Sequence, residues 1–207
     1  SMLLLASVIG YILGALPLAD RVSRRRGVNI FLTGTGLAGS SNVLKTVGKV
    51  PAAVVLLGDM AKGIVAIFIA QALGIEGPWL VIPASAAVLG HWHSVFTRLK
   101  GGDALATFGG STLVVFAGYG LAGVAFASVI TLGARKMPFP LPFASLFSII
   151  FGYTMIVFLS VVNYTELKVV VAFSALAVIV FAHALLGHAL RRKGYESPED
   201  VIQEPTG

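Results

Sequence analysis

Five stretches of this chain, residues 3–19, 51–73, 79–96, 145–162 and 168–190, are apolar for close to the length an α-helix needs to cross a bilayer core, about 20 residues. No soluble domain carries so many, and they identify an all-α integral membrane protein. Composition agrees: 57% of the 207 residues are hydrophobic and 12% charged, with a mean hydropathy of +0.91. A sixth apolar stretch, 105–132, is too long for one comfortable span and contains Gly118-Tyr119-Gly120. Split at that break, it becomes two segments rising roughly 21 Å each as helix, short or partly re-entrant.

Seven segments then place every basic cluster on the cytoplasmic side, with the N-terminus outside and the C-terminus inside. Arg21, Arg24, Arg25, Arg26, Lys45, Lys49, Arg98, Lys100, Arg135, Lys136, Arg191, Arg192 and Lys193 all lie between or beyond the apolar runs. The net charge of +6 thus reads as topology and as attraction to anionic lipid or substrate, and not as a nucleic-acid surface. Residues 1–193 read as one polytopic membrane domain and residues 194–207 as a polar, disordered tail. The first run lacks a basic n-region and an A-x-A-like site, so it reads as a span rather than a signal peptide, and Ser1 before Met2 reads as an added residue. The absence of cysteine excludes disulfides, thiolate metal sites and cysteine nucleophiles. No internal repeat supports an inverted-repeat transporter.

Chemistry concentrates in three loops. The first holds Thr33 to Asn42, "TGTGLAGSSN", with Gly34, Gly36 and Gly39 beside the hydroxyls of Thr35, Ser40 and Ser41. Glycines allow positive φ, and successive N–H groups in such a turn make an anion nest; a flexible linker is the plainer alternative. Its GxGxxG pattern is not a dinucleotide site, because no strand precedes it and no acidic residue follows about 20 residues on. The second loop, "RLKGGD", follows His91-Trp92-His93. Two residues apart on a helix, His91 and His93 point away from one another and do not chelate a metal. His91 reads either as a hydrogen-bonded structural group or as a contact for a phosphate or hydroxyl. In the third, Ser145 follows Pro142-Phe143-Ala144 at a helix start, where it caps N–H groups or lends a donor to an anion. Asp59 and Lys62 stand three apart on one helical face inside an apolar span, an arrangement tolerated when mutually paired or facing a cavity. His183, within the last span, reads either as a buried hydrogen-bonded histidine or as a group facing a cavity.

Taken in order, these segments resemble the bacterial acyl-phosphate:glycerol-3-phosphate acyltransferases of the PlsY type, over roughly residues 10–193. The family pattern GSGNxGATN stands here as Gly34 to Asn42, and GHxxPVFxxFKGGKGVAT is matched at Gly90-His91, Val95-Phe96, Lys100-Gly101-Gly102 and Ala106-Thr107. Its SLxSI appears at Ser145, Leu146, Ser148 and Ile149, DxxKG at Asp59 to Gly63, and GSxPF is echoed at Gly14 to Leu18. The resemblance implies transfer of an acyl group from acyl phosphate to glycerol 3-phosphate, giving lysophosphatidic acid for phospholipid synthesis. It also implies an inner-membrane enzyme with its site facing the cytoplasm, membrane lipids as surroundings, and no metal or other cofactor. His91, Asp103 and Ser145 are then the catalytic candidates. Gly34, Thr35, Gly36, Gly39, Ser40, Ser41, Asn42, Lys45, Lys100, Gly101, Gly102, Thr107, Ser148 and His183 are the candidates for binding substrate or phosphate.

The departures fall at functional positions: the family has lysine at Asp103, asparagine at Leu37, arginine at Phe31, Lys45 and Pro142, and asparagine near Leu186. An acid where a phosphate should sit reverses the local field; at about 4 Å and an effective dielectric near 20, a unit-charge contact is worth about 4 kcal/mol. The alternative expectation is therefore a catalytically degenerate or acceptor-switched relative, acting as a lipid-binding, regulatory or scaffold membrane protein.

Overall fold

The computed structural model describes residues 1–134 and 144–193, which form helices and connecting loops with no strand among them. Pro142, Arg135, Lys136 and the 194–207 tail lie outside the described residues, as does the side chain of Ser145. Among the described residues nine α-helices follow one another: α1 Met2–Ala15, α2 Leu18–Arg24, α3 Ser40–Thr46, α4 Lys49–Ala72, α5 Val81–Trp92, α6 Leu105–Val115, α7 Ala117–Ala134, α8 Ala144–Val162 and α9 Leu167–Lys193. Short 3₁₀ turns at Gly77–Leu80 and Val95–Thr97 flank α5.

Among the described residues four helical stretches are both long and apolar enough to cross a membrane: Met2–Arg24, Lys49–Ala72, Ala117–Ala134 and Leu167–Gly187. Leu105–Val115 and Leu146–Val162 are shorter apolar helices. Many large apolar side chains point outward, among them Leu4, Val54, Leu57, Phe68, Leu121, Phe158 and Val178. In water this surface would be untenable, whereas lipid solvates it at no cost.

The span at 3–19 falls within the crossing Met2–Arg24 but is built of two helices: α1 ends at Ala15 and α2 starts at Leu18, because Pro17 supplies no N–H and cannot continue the α1 ladder. One expectation is corrected. The long stretch at 105–132 does divide, but at Phe116 and Ala117 instead of at the glycines. Ala117 adopts φ 38 there. Gly120 serves the bend differently, since a Cβ on it would lie 2.9 Å from Leu113 Cα.

Helices α1, α4, α5 and α6 pack as the central group. With lipid outside, no hydrophobic force drives helices together, and small residues that let backbones approach take over. A Cβ on Gly14 of α1 would lie 1.9 Å from Ala87 O of α5, and one on Gly63 of α4 would lie 1.9 Å from Thr107 O of α6. Contacts this close hold the four helices in fixed register around a few polar groups. Outside them, α7 and α8 pair closely, and α9 closes the bundle against α5, α6 and α8. Phe108, Tyr153 and Phe181 meet edge-on or tilted between α6, α8 and α9, with centroids 5.5–6.0 Å apart.

Candidate active site

The break between α1 and α2 leaves carbonyls with no helical donor, and side chains from other elements satisfy them. Lys62 of α4 donates from Nζ to Leu16 O at 2.6 Å, and Ser94, just after α5, donates to Ala15 O at 2.5 Å. Tyr11 adds a hydroxyl bond to His93 O at 2.7 Å. Irregular backbone at membrane depth is tolerated where protein groups re-satisfy it.

Lys62 Nζ also lies 2.7 Å from Asp59 Oδ1, with side-chain exposures of 4% and 3%. The pair thus forms as the i,i+3 spacing predicts. Asp59 Oδ1 is buried, and the Lys62 ammonium at 2.7 Å is the cation that compensates it. His91, in the last turn of α5, places Nδ1 3.2 Å from Thr107 Oγ1 on α6 and 3.9 Å from Asp59 Oδ1.

The second loop folds over this histidine. Gly102 N–H donates to His91 O at 3.2 Å, and a Cβ on Gly101 would lie 1.9 Å from that same carbonyl. A Cβ on Gly102 would lie 2.6 Å from His91 Nε2 and 2.5 Å from Ala38 O. Only glycine permits this approach. Trp92 Nε1 donates to Asp103 O at 3.2 Å, and the Trp92 ring stacks on His183 of α9 at 4.2 Å between centroids. Lys100 Nζ stands 6.0 Å above the Phe31 ring.

The first loop docks on the second through Ala38 N–H donating to Gly101 O at 3.0 Å. Asn42, buried at the start of α3, organises it. Its Nδ2 reaches Ile30 O, Thr33 O and Leu37 O at 3.2, 2.9 and 3.0 Å, while Oδ1 accepts from Thr35 N–H at 3.2 Å. A Cβ on Gly34, whose φ is +59, would lie 2.1 Å from that Oδ1. The N–H groups of Thr35, Gly36, Ala38 and Gly39 all donate within the loops, so the nest is closed on itself here.

Where these parts meet is a cleft of about 20 Å³ lined by Gly14 to Ala19, Ala38, Asp59, Lys62, His91, Ser94, Thr97, Lys100 and Gly101. Of the residues picked out from sequence, Gly14 to Leu18, Asp59, Lys62, His91, Lys100 and Gly101 line it, and Gly102 and Thr107 touch His91. Gly34, Thr35, Gly36 and Asn42 build the first loop around the Asn42 amide without reaching the cleft wall. Gly39 precedes α3, Ser40 and Ser41 begin it, and Lys45 is exposed in its last turn; none of these lines the cleft. Ser148 is buried on α8 and His183 stacks beside the site on Trp92. Ser94, Thr97 and Ala38 enter the site without having been picked out, and so does the helix break at Pro17, for which the proline within an apolar run was the available signal. Asp59 and Lys62 are both mutually paired and on the cleft wall, the two circumstances under which such a pair is tolerated.

Fold and site together define a polytopic helical membrane protein whose charged cleft lies beneath two interlocked glycine loops. The family model for glycerol-3-phosphate acyltransferase matches residues 4–190, and the chain belongs to that family. A glycerol-3-phosphate acyltransferase of Geobacter sulfurreducens is 32% identical over 180 residues, 87% of this chain and 89% of that protein. One of Roseiflexus sp. is 34% identical over 185 residues, 89% of each chain. Another, of Rubrobacter xylanophilus, is 40% identical over 129 residues; that match spans 62% of this chain and 64% of the relative's length. The crystal structure of PlsY, an integral membrane glycerol 3-phosphate acyltransferase, in its glycerol 3-phosphate form, superposes with a TM-score of 0.76 at 22% identity, covering 100% of this chain and 96% of that one. Its lysophosphatidic acid form gives 0.74. At that identity the likeness speaks for the fold.

Proposed function

We propose that this protein transfers the acyl group of an acyl phosphate to a hydroxyl of glycerol 3-phosphate, forming lysophosphatidic acid. The observation that carries the reading is the seating of His91 beneath Gly101 and Gly102, with Lys100 at the mouth of the same cleft. An imidazole positioned for a hydroxyl proton, cations for phosphate oxygens and apolar helix faces for the acyl chain are the groups this reaction uses. Membership of the family and the glycerol 3-phosphate and lysophosphatidic acid forms of PlsY support the same substrates. Loops able to open around their phosphates are a requirement of the reading, since the cleft as it stands has room for about one water molecule.

Seven crossings, α1 with α2 and then α4 to α9 singly, put the N-terminus outside and the C-terminus in the cytoplasm of an inner-membrane protein. Arg21 to Arg26, Lys49, Arg98 and Lys100 all fall at the end of the bundle where α2 stops, α4 starts, α5 stops and α6 starts. Glu76 and Glu166 fall at the other end, where a Cβ on Gly77 would lie 3.4 Å from Glu166 Oε2. That asymmetry supports a cytoplasmic site.

The test is phosphate release from palmitoyl phosphate by the purified protein in lipid, with and without glycerol 3-phosphate, for wild type and Asp103→Lys. Release that requires glycerol 3-phosphate is the expected result. Silence in the wild type with activity in Asp103→Lys would make Asp103 the residue that changed the acceptor, and silence in both would overturn the reading.

A further inference from the structure

We infer that Ser94 is a positioning residue for Lys100: its hydroxyl ties the second glycine loop to the broken end of α1, and its carbonyl, together with Thr97, closes the turn that carries the lysine to the cleft. The inference rests on the acyl transfer proposed above, in which Lys100 meets a substrate phosphate.

Ser94 stands two residues past the end of α5 and is 4% exposed. Its hydroxyl donates to Ala15 O at 2.5 Å and accepts from Phe96 N–H at 3.2 Å. Its carbonyl accepts from Thr97 N–H at 3.2 Å and from Leu99 N–H at 2.9 Å. Thr97 Oγ1 donates to Lys100 O, with Ser94 O as the alternative acceptor at 3.3 Å, and Lys100 N–H donates to Thr97 O at 3.2 Å. One buried serine thus gathers the turn from Phe96 to Leu99, and Thr97 passes that hold on to Lys100.

This turn needs holding. Arg98 and Leu99 both adopt left-handed conformations, with φ 55 and 61, which crowd the Cβ of any residue but glycine. Val95, Phe96 and Leu99 are each more than half exposed, so hydrogen bonds rather than packing fix the backbone. Strained conformations persist where their surroundings over-determine them, and they gather at sites that clamp a ligand. Ser94 and Thr97 supply that surrounding up to Lys100; beyond it, Gly102 N–H on His91 O and Ala38 N–H on Gly101 O take over.

Ser94, Thr97 and Lys100 line one side of the cleft, and the break between α1 and α2 lines another. The Ser94 hydroxyl on Ala15 O joins the two walls, so it sets where Lys100 stands relative to whatever the cleft holds. Lys100 Nζ lies 6.0 Å from the Phe31 ring centroid, the outer limit of a cation–π contact. Its head is therefore easily surrendered to a phosphate while the backbone beneath it stays fixed. A lysine is a point charge on a flexible stem, and freezing that stem opposes binding; a base already immobile leaves less to be frozen when the ammonium closes on an oxygen.

The experiment uses the full chain in lipid nanodiscs with palmitoyl phosphate and glycerol 3-phosphate. It compares wild type, Ser94→Ala, Thr97→Val, Lys100→Gln, and each of the first two variants combined with Lys100→Gln. The substrate whose KM rises in Lys100→Gln is the one whose phosphate Lys100 meets. Ser94→Ala is expected to raise that same KM by about 10-fold, the lower end of what a hydrogen bond to a charged group is worth, while kcat stays within about threefold. In the Lys100→Gln background it should raise KM no further. A second readout does not depend on turnover: amide hydrogen exchange across residues 95–100 should quicken in Ser94→Ala while that of residues 33–42 holds. A wild type silent toward both substrates would overturn the proposed function, and exchange would then decide this inference alone. Unchanged exchange, a loss confined to kcat, a KM rise that persists without Lys100, or a Lys100→Gln that raises neither KM would overturn it. Should Ser94→Ala fail to fold with Ala15 O left unpaired, Thr97→Val, which leaves the bond to α1 intact, carries the same expectations.

Discussion

Gly109 and Gly110 are neighbours on α6, yet the structure assigns them opposite sensitivities to a single methyl group. A Cβ on Gly110 would lie 2.0 Å from Met60 O and 2.9 Å from Met60 C, both backbone atoms of α4. Carbon and carbonyl oxygen are at ease near 3.4 Å, so α4 and α6 must part by about 1.4 Å. No rotamer change absorbs a clash with backbone, and overpacking of this kind costs about 1–3 kcal/mol or more. The consequence for activity is larger, because Met60 lies between Asp59 and Lys62 while α6 carries Thr107, which touches His91. Misplacing reacting groups by about 1 Å can cost about 10²-fold in rate. A Cβ on Gly109 meets nothing within 4 Å, and alanine there gains the roughly 1 kcal/mol by which it exceeds glycine in a helix. Apparent melting temperature in detergent and phosphate release under saturating substrates are the two assays. Gly110→Ala is expected to melt lower and lose about two orders of magnitude in rate, and Gly109→Ala to melt slightly higher with its rate retained. Equal behaviour of the two variants would refute the claim that backbone contact between α4 and α6 sets the site.

Asn42→Ala strips the carbonyls of Ile30, Thr33 and Leu37 and the N–H of Thr35 of their shared partner; about 2–4 kcal/mol of stability should go, read as faster proteolysis within the first loop. Lys62→Met leaves the Asp59 carboxylate buried and uncompensated, for a loss of about 3–5 kcal/mol, whereas Asp59→Leu/Lys62→Met should recover most of it; melting temperatures decide. Leu99 is exposed at φ 61, a conformation costing a side chain about 1–2 kcal/mol. Leu99→Gly should therefore raise the melting point slightly, and a fall would show that the loop is not strained there.

The apolar runs were readable because lipid asks little of a helix surface beyond being apolar, so each run declares itself without reference to its neighbours. Breaks were harder. Pro17 is itself apolar and leaves the hydropathy of its run intact, although its missing N–H ends α1 as surely as a charge would. Glycines at 118 and 120 drew attention to the right segment, but the left-handed turn falls on Ala117 and the glycine at 120 instead marks where two turns of backbone touch. The site divides along the same line. Loop residues that sit in a motif were visible at once, whereas what each side chain does depends on partners far away in sequence. Ser94 and Ala15 O are 79 residues apart, and no local pattern encodes their bond. Asn42 shows the converse: its place beside Ser40 and Ser41 in a glycine-rich turn suggests an anion ligand, and only the folded loop reveals that its amide is already occupied by backbone. Asp59 and Lys62 were conspicuous for the opposite reason, since a charged pair inside an apolar helix has to answer to something, and the fold shows that they answer to each other while Lys62 also caps the broken end of α1.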